Sequence, residues 1–118
     1  MHELSLTKNI LQMAERYAQA NNATKVNTIF LRIGVLRDLE PGWVQRYFRY
    51  ISKGTIAQDA EILIMVEPVI CKCNCCNNQF ELDLKRVLNN EVLCPQCSTH
   101  DYDLVSGTEF IIQGIEIT

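Results

Sequence analysis

The sequence has 118 residues, 47% of them hydrophobic, which allows one ordinary domain or a smaller core with a stapled lobe beside it, and excludes a catalytic cleft between two full domains. Eleven Lys and Arg against fourteen Asp and Glu leave a formal charge of −3, which gives no bulk attraction to a phosphate backbone. No apolar run approaches the roughly 20 residues that span a bilayer, and MHELSLTKNILQ lacks the basic start and unbroken apolar stretch of a secretory signal, so we expect a soluble, cytoplasmic protein with no membrane partner.

From Leu4 to about Ala20, apolar residues fall at Leu6, Ile10, Met13, Ala14, Tyr17 and Ala18, the period of an amphipathic helix that Ser5 can cap and that Asn21-Asn22 ends. Val26 to Val35 alternates, with Ile29, Leu31, Ile33 and Val35 on one side, and reads as a strand. GVLRDLEPGW then leads to a second helix, with Pro41 suited to its first position. Trp43, Val44, Tyr47, Phe48 and Ile51 supply its apolar face and Gly54 marks its exit. Ile62 to Val66 is a short strand, and Phe110 to Ile117 is another, with Ile111, Ile115 and Ile117 on one face. Two helices on one face of a three-stranded sheet make a two-layer α/β domain, expected over residues 1–67 plus 108–118. Residues 68–107 form an inserted zinc-ribbon-like lobe. Its apolar candidates are only Phe80, Leu82, Leu84, Val87 and Leu88, too few to hold it by burial alone.

All six cysteines lie between Cys71 and Cys97, a clustering that suits a metal site better than a disulfide framework. Cys73 with Cys76 in CNCC and Cys94 with Cys97 in CPQC are two CxxC pairs, each able to aim both sulfurs at one ion. Four thiolates favour Zn(II), with iron also compatible. A site closed by four thiolates has no open position for catalysis, so we expect a structural zinc. Cys71 with Cys75 and Cys73 with Cys75 remain alternative pairings. The spare cysteines read as partly exposed bystander thiols, or as groups that exchange into the site or catch a second metal. His100, in CSTH, is either a loop residue or a replacement ligand.

The chain places its other histidine directly after the first methionine. The Met1 amine, the His2 amide nitrogen and the His2 imidazole Nδ1 can close fused five- and six-membered chelate rings around one ion. Deprotonated amide nitrogen suits square-planar Ni(II) or Cu(II) far better than Zn(II). Bulky His2 should protect Met1 from removal. The competing reading is a frayed, solvated terminal histidine, with Glu3 as a first-turn carboxylate favoured by the helix dipole.

MHELS, the strand end LRIG, GTIAQDA, the two CxxC pairs and the closing GTEFIIQGIEI occur in order from residue 1 to 117, and together they resemble the HypA/HybF hydrogenase-maturation nickel chaperones. The resemblance implies a non-enzymatic metallochaperone that binds Ni(II) transiently and helps insert it into the nickel-iron hydrogenase large subunit, working with the GTPase HypB; some relatives also serve urease. It assigns nickel binding to His2, with Glu3 beside it, and zinc to Cys73, Cys76, Cys94 and Cys97. The sequence departs from the usual pattern at Cys71, at Cys75, and at Asn77, where many members carry Gly.

No phosphate-binding glycine loop, metalloprotease helix or nucleophile motif is present, and Asp38 with Glu40 reads as solvated surface. The runner-up is a zinc-ribbon module for nucleic acid or protein, for which Lys72, Lys85 and Arg86 flank the metal lobe. Against nucleic acid stand the net acidity and the thinness of that patch. Arg37, Arg46, Arg49 and Lys53 form a second, modest basic patch.

Overall fold

The computed structural model describes residues 2–83 and 92–118, with only the backbone of His2 and Glu3. Met1 lies outside the described residues, as do Leu84, Lys85, Arg86, Val87 and Leu88. Two compact units emerge: residues 1–32, 38–65 and 110–118 form the first, and residues 33–37 with 66–109 the second.

Helix α1 (His2–Ala20) buries Thr7, Ile10, Ala14 and Ala18, spaced three or four apart on one stripe. Small alanines on that stripe suit its close packing against the second helix. Met13 and Tyr17, read as part of the apolar face, are exposed instead. Ser5 is no N-cap, because the helix already begins at His2; Thr7 turns its hydroxyl to the Leu4 carbonyl, 2.8 Å away. The helix ends as the asparagine pair predicts. Asn22 adopts φ 57°, the Ala23 N–H donates to the Ala18 carbonyl at 2.9 Å, and the Asn22 N–H donates to the Gln19 carbonyl at 3.2 Å. That pair of bonds is a Schellman motif with asparagine in the left-handed position usually taken by glycine.

Strand β1 (Val26–Gly34) buries Val26, Ile29, Leu31 and Ile33. Val35 leaves the strand and starts a one-turn 3-10 helix, Val35–Arg37, so it does not continue the buried row. Helix α2 (Pro41–Ile51) starts with proline at its first position after an extended Glu40, and buries Val44 and Phe48. Trp43 does not join this core: its ring is 46% exposed. The GTIAQDA segment is a knot of turns. Thr55 Oγ1 donates to the Ser52 carbonyl at 2.7 Å, Gln58 Oε1 accepts from the Gly54 N–H at 2.8 Å, and Ala57 and Ala60 are buried.

Strands β2 (Glu61–Glu67) and β6 (Phe110–Ile117) flank β1 in the order β2-β1-β6. Hydrogen bonds from Thr118 N to the Lys25 carbonyl (2.9 Å) and from Gly34 N to the Glu109 carbonyl (2.7 Å) fix β1 and β6 as antiparallel. With both helices, this sheet makes the expected two-layer α/β arrangement. Ile111 is exposed, so the face predicted for β6 is not a buried one.

The second unit contains three strands that the sequence reading missed: β3 (Ile70–Cys73), β4 (Gln79–Glu81) and β5 (Tyr102–Ser106), in the order β4-β3-β5 and all antiparallel. Phe80 meets Tyr102 edge-to-face, with centroids 5.3 Å apart. The unit is closed by one backbone and one side-chain hydrogen bond: Leu36 N donates to the Gly107 carbonyl at 2.9 Å and Arg37 Nε to the Thr108 carbonyl at 2.7 Å. No helix among the described residues is long and apolar enough to cross a membrane.

Candidate metal centres

Two matching knuckles bring the four CxxC cysteines together. In the first, Cys73 ends β3, its N–H donates to the Asn78 carbonyl at 2.9 Å, and its carbonyl accepts from the Asn77 N–H at 3.0 Å. In the second, the Cys94 N–H donates to the Thr99 carbonyl at 3.0 Å, and its carbonyl accepts from the Ser98 N–H at 2.8 Å. Each turn closes through one left-handed residue, Asn77 at φ 60° and Ser98 at φ 62°. This conformation suits glycine, and asparagine is among the side chains that tolerate it best.

The Sγ atoms of Cys73, Cys76, Cys94 and Cys97 all lie within 4.8 Å of one another. Across the knuckles, Cys73 is 3.4 Å from Cys97 and Cys76 is 3.6 Å from Cys94. Sulfurs about 2.3 Å from a central zinc in a tetrahedron stand about 3.8 Å apart, so the set fits one such ion. Cys73 and Cys94 are buried and the other two half-buried. Among the described residues, no other set of three or more His, Cys, Asp or Glu converges in this way.

The sulfurs are electrostatically unequal. Hydrogen bonding from the Thr99 hydroxyl (3.5 Å), then from the Cys76 and Cys75 N–H groups, outweighs desolvation and lowers the Cys73 thiol to about 6. At Cys94 desolvation pushes upward, but the N–H groups of Cys97 and Gln96 prevail and the thiol is lowered. Cys76 goes the other way: the Asn78 N–H favours its thiolate, yet desolvation and the crowding of Cys94, Cys73 and Cys97 push it up to about 12. A metal-free cluster therefore favours negative charge on Cys73 while Cys76 holds its proton. The sequence reading missed Thr99, whose hydroxyl also lies 3.4 Å from Cys97 Sγ. Its only signal was its position two residues after the last cysteine.

The remaining candidates separate. Cys75 is exposed, as expected of a bystander thiol, but Cys71 is fully buried in β3 on the same side as Cys73, opposite Phe80 and Leu104. Burial raises its pKa and suits a core residue rather than an exposed thiol. His100 is exposed and outside the cluster. Asp38 is an exposed turn residue at φ 52°. Of the basic residues, Arg37 belongs to the second unit and donates to the Thr108 carbonyl, while Arg46 and Arg49 lie on α2. At the other candidate centre, the backbone of His2 opens α1; the side chains of His2 and Glu3, and all of Met1, lie outside the described residues.

Comparison with known proteins places the chain in a family. The family described as hydrogenase/urease nickel incorporation, metallochaperone, hypA matches residues 1–117. The hydrogenase maturation factor HypA of Aquifex aeolicus is 33% identical over 99% of this chain and 97% of its own. That of Rhodopseudomonas palustris is 32% identical over 99% of both. The fold matches the solution structure of the nickel metallochaperone HypA from Helicobacter pylori at a TM-score of 0.65, with 22% identity over 99% of this chain and 97% of that one. A second solution structure of a HypA protein matches at 0.74, also with 22% identity, covering 100% and 97%. Matched from its first residue almost to its last, and with two relatives above 30% identity along nearly their full lengths, the chain belongs to the HypA family of nickel-incorporation metallochaperones.

Proposed function

We propose that this nickel metallochaperone of hydrogenase maturation takes up Ni(II) at its N-terminus and keeps a structural Zn(II) in the four-cysteine cluster. His2 supplies the imidazole Nδ1 and an amide nitrogen, Met1 the amine, and Glu3 a neighbouring backbone or carboxylate donor. The observation that carries this reading is the start of α1 at His2. The first four N–H groups of a helix have no carbonyl partner within it, so ligation by the His2 and Glu3 amides sacrifices no helical hydrogen bond. The positive helix end also favours the negative charge of a deprotonated amide.

The two metals then divide the work, with nickel assigned to residues 1–67 plus 108–118 and zinc to residues 68–107. Zinc bound by Cys73, Cys76, Cys94 and Cys97 is a closed centre that holds the second unit's turns. Nickel is cargo, held at an accessible chain end and passed on to the nickel-iron hydrogenase large subunit with a HypB-like GTPase, and in some settings to urease maturation proteins. Protonation of the imidazole or of an amide donor releases nickel, so acid favours transfer.

Titration of tag-free protein with Ni(II) tests the assignment, with absorption read for a square-planar band and zinc counted in parallel. His2→Ala should abolish the band and leave zinc unchanged. Undiminished nickel binding in that variant overturns it. Against the nucleic-acid reading stands the net charge of −3; of the flanking cations it names, Lys85 and Arg86 lie outside the described residues.

A further inference from the structure

The outer side of α2 carries a pattern that neither metal centre uses. Trp43, Arg46, Tyr47 and Tyr50 recur at i, i+3, i+4 and i+7, which lines them up along one stripe, and Lys53 follows three residues on. Tyr50 is 73% exposed, whereas Val44 and Phe48 are buried. The stripe is internally ordered. Trp43 and Tyr47 stack with centroids 5.6 Å apart and planes 29° apart, the Arg46 guanidinium sits over Trp43 at 5.0 Å, and Lys53 Nζ lies 5.8 Å from the Tyr50 centroid. Aromatic rings left in water and pre-ordered by cations are the composition of interface anchors, not of a helix whose only task is to cover a core.

Charge selects the class of partner. From Pro41 to Gly54 the sequence has Arg46, Arg49 and Lys53 and no acidic residue, on a chain whose net charge is −3; the nearest carboxylates are Glu40, in a depression with Trp43 and Arg46, and Asp59 and Glu61, in one with Arg49. A nucleic acid would bring phosphates, but it binds such surfaces by stacking bases on open ring faces. Here Tyr47 and Arg46 both lie against the Trp43 ring, and Lys53 lies over Tyr50. A guanidinium lying on an aromatic ring still presents its in-plane N–H fork, the geometry that receives a carboxylate.

We propose that this face of α2 docks an acidic segment of a partner protein, with carboxylates received by Arg46, Arg49 and Lys53 and an apolar side chain laid against the Trp43–Tyr47 pair. The proposal is independent of the nickel and zinc assignments.

Trp43 is the only tryptophan in the chain and serves as the reporter. Its emission is followed in zinc-loaded, full-length protein on titration with a synthetic peptide of Glu interspersed with Leu, the same peptide with Gln for Glu, oligo-dT, and phosphatidylserine vesicles. The Glu peptide should bind, weaken with added salt, and bind at least about tenfold more weakly to the R46E/R49E/K53E variant. Arg46→Lys should also weaken it, since the charge remains but the fork is lost. Zinc and nickel content of these surface variants should stay unchanged. Equal binding of the Glu and Gln peptides, no binding of either, no effect of the charge reversal, or tighter binding of oligo-dT or vesicles overturns the proposal.

Discussion

Gly34, the last residue of LRIG, has no room for a side chain. A Cβ there would fall on the Gly107 carbonyl group and the Thr108 nitrogen, and both are backbone atoms of the same unit that cannot step aside. Gly107 in turn adopts φ 117° with its open side against Val69. Gly34→Ala should therefore destabilise the second unit by about 1–3 kcal/mol. Gly114→Ala is the control, since its Cβ would meet only Phe30, at an ordinary 3.7 Å. Urea midpoints compared between the two variants check the claim, and equal midpoints would remove it. Residue-scale selectivity also applies to sulfur. Cys75 is exposed and outside the cluster, while Cys76 is one of its four corners. Zinc counted after gel filtration should be stoichiometric in Cys75→Ala and lost in Cys76→Ala; the reverse result would reassign the knuckle.

At the scale of elements, α2 is a helix with two different faces. Phe48 is buried among core side chains, so Phe48→Ala should cost about 3–5 kcal/mol. Trp43→Ala, on the exposed stripe, should cost less than about 1 kcal/mol despite removing a larger ring. Chemical denaturation followed by circular dichroism separates the two, and a Trp43 cost as large as that of Phe48 would place the ring in the core after all. Sequence periodicity identified α1, α2, β1, β2 and β6 to within a few residues, because each has an apolar row long enough to establish its period. It misassigned Trp43 because periodicity counts an aromatic residue as core without regard to the cation beside it. It missed β3, β4 and β5 for a different reason. These strands have only three to five residues, and their buried positions include Cys71 and Cys73, which a reader assigns to metal before packing. The convergence of Cys73, Cys76, Cys94 and Cys97 was legible because tetrahedral coordination restricts spacing. Thr99 was not, because a hydroxyl that tunes a sulfur obeys no spacing rule.

For the whole molecule, two sources of order coexist in one chain. The first unit rests on apolar burial from Ile10, Ile29, Leu31, Val44 and Phe48, and the second on a small apolar core plus four converging sulfurs. Stripping zinc with a strong chelator should leave the helical circular dichroism of α1 and α2 in place while amide protection is lost around the knuckles. Acid should act on the same centre in a defined order. Protons compete with zinc for thiolates, so affinity falls as pH falls. Cys73, with its pKa lowered to about 6, is already ionised at neutral pH and has no proton for zinc to displace, whereas Cys76, raised to about 12, must give one up. The sign follows for the metal-free unit: the ionised Cys73 stabilises it above the ordinary thiol range, and this contribution disappears as pH drops through about 6. Below that point each zinc must displace one more proton. Calorimetric titration of metal-free protein with zinc, in buffers of different ionisation enthalpy, should show about one additional proton released per zinc at pH ~5 compared with pH ~7.5. An unchanged proton count would mean that Thr99 and the turn N–H groups do not pre-ionise Cys73, and that the metal alone ionises all four thiols.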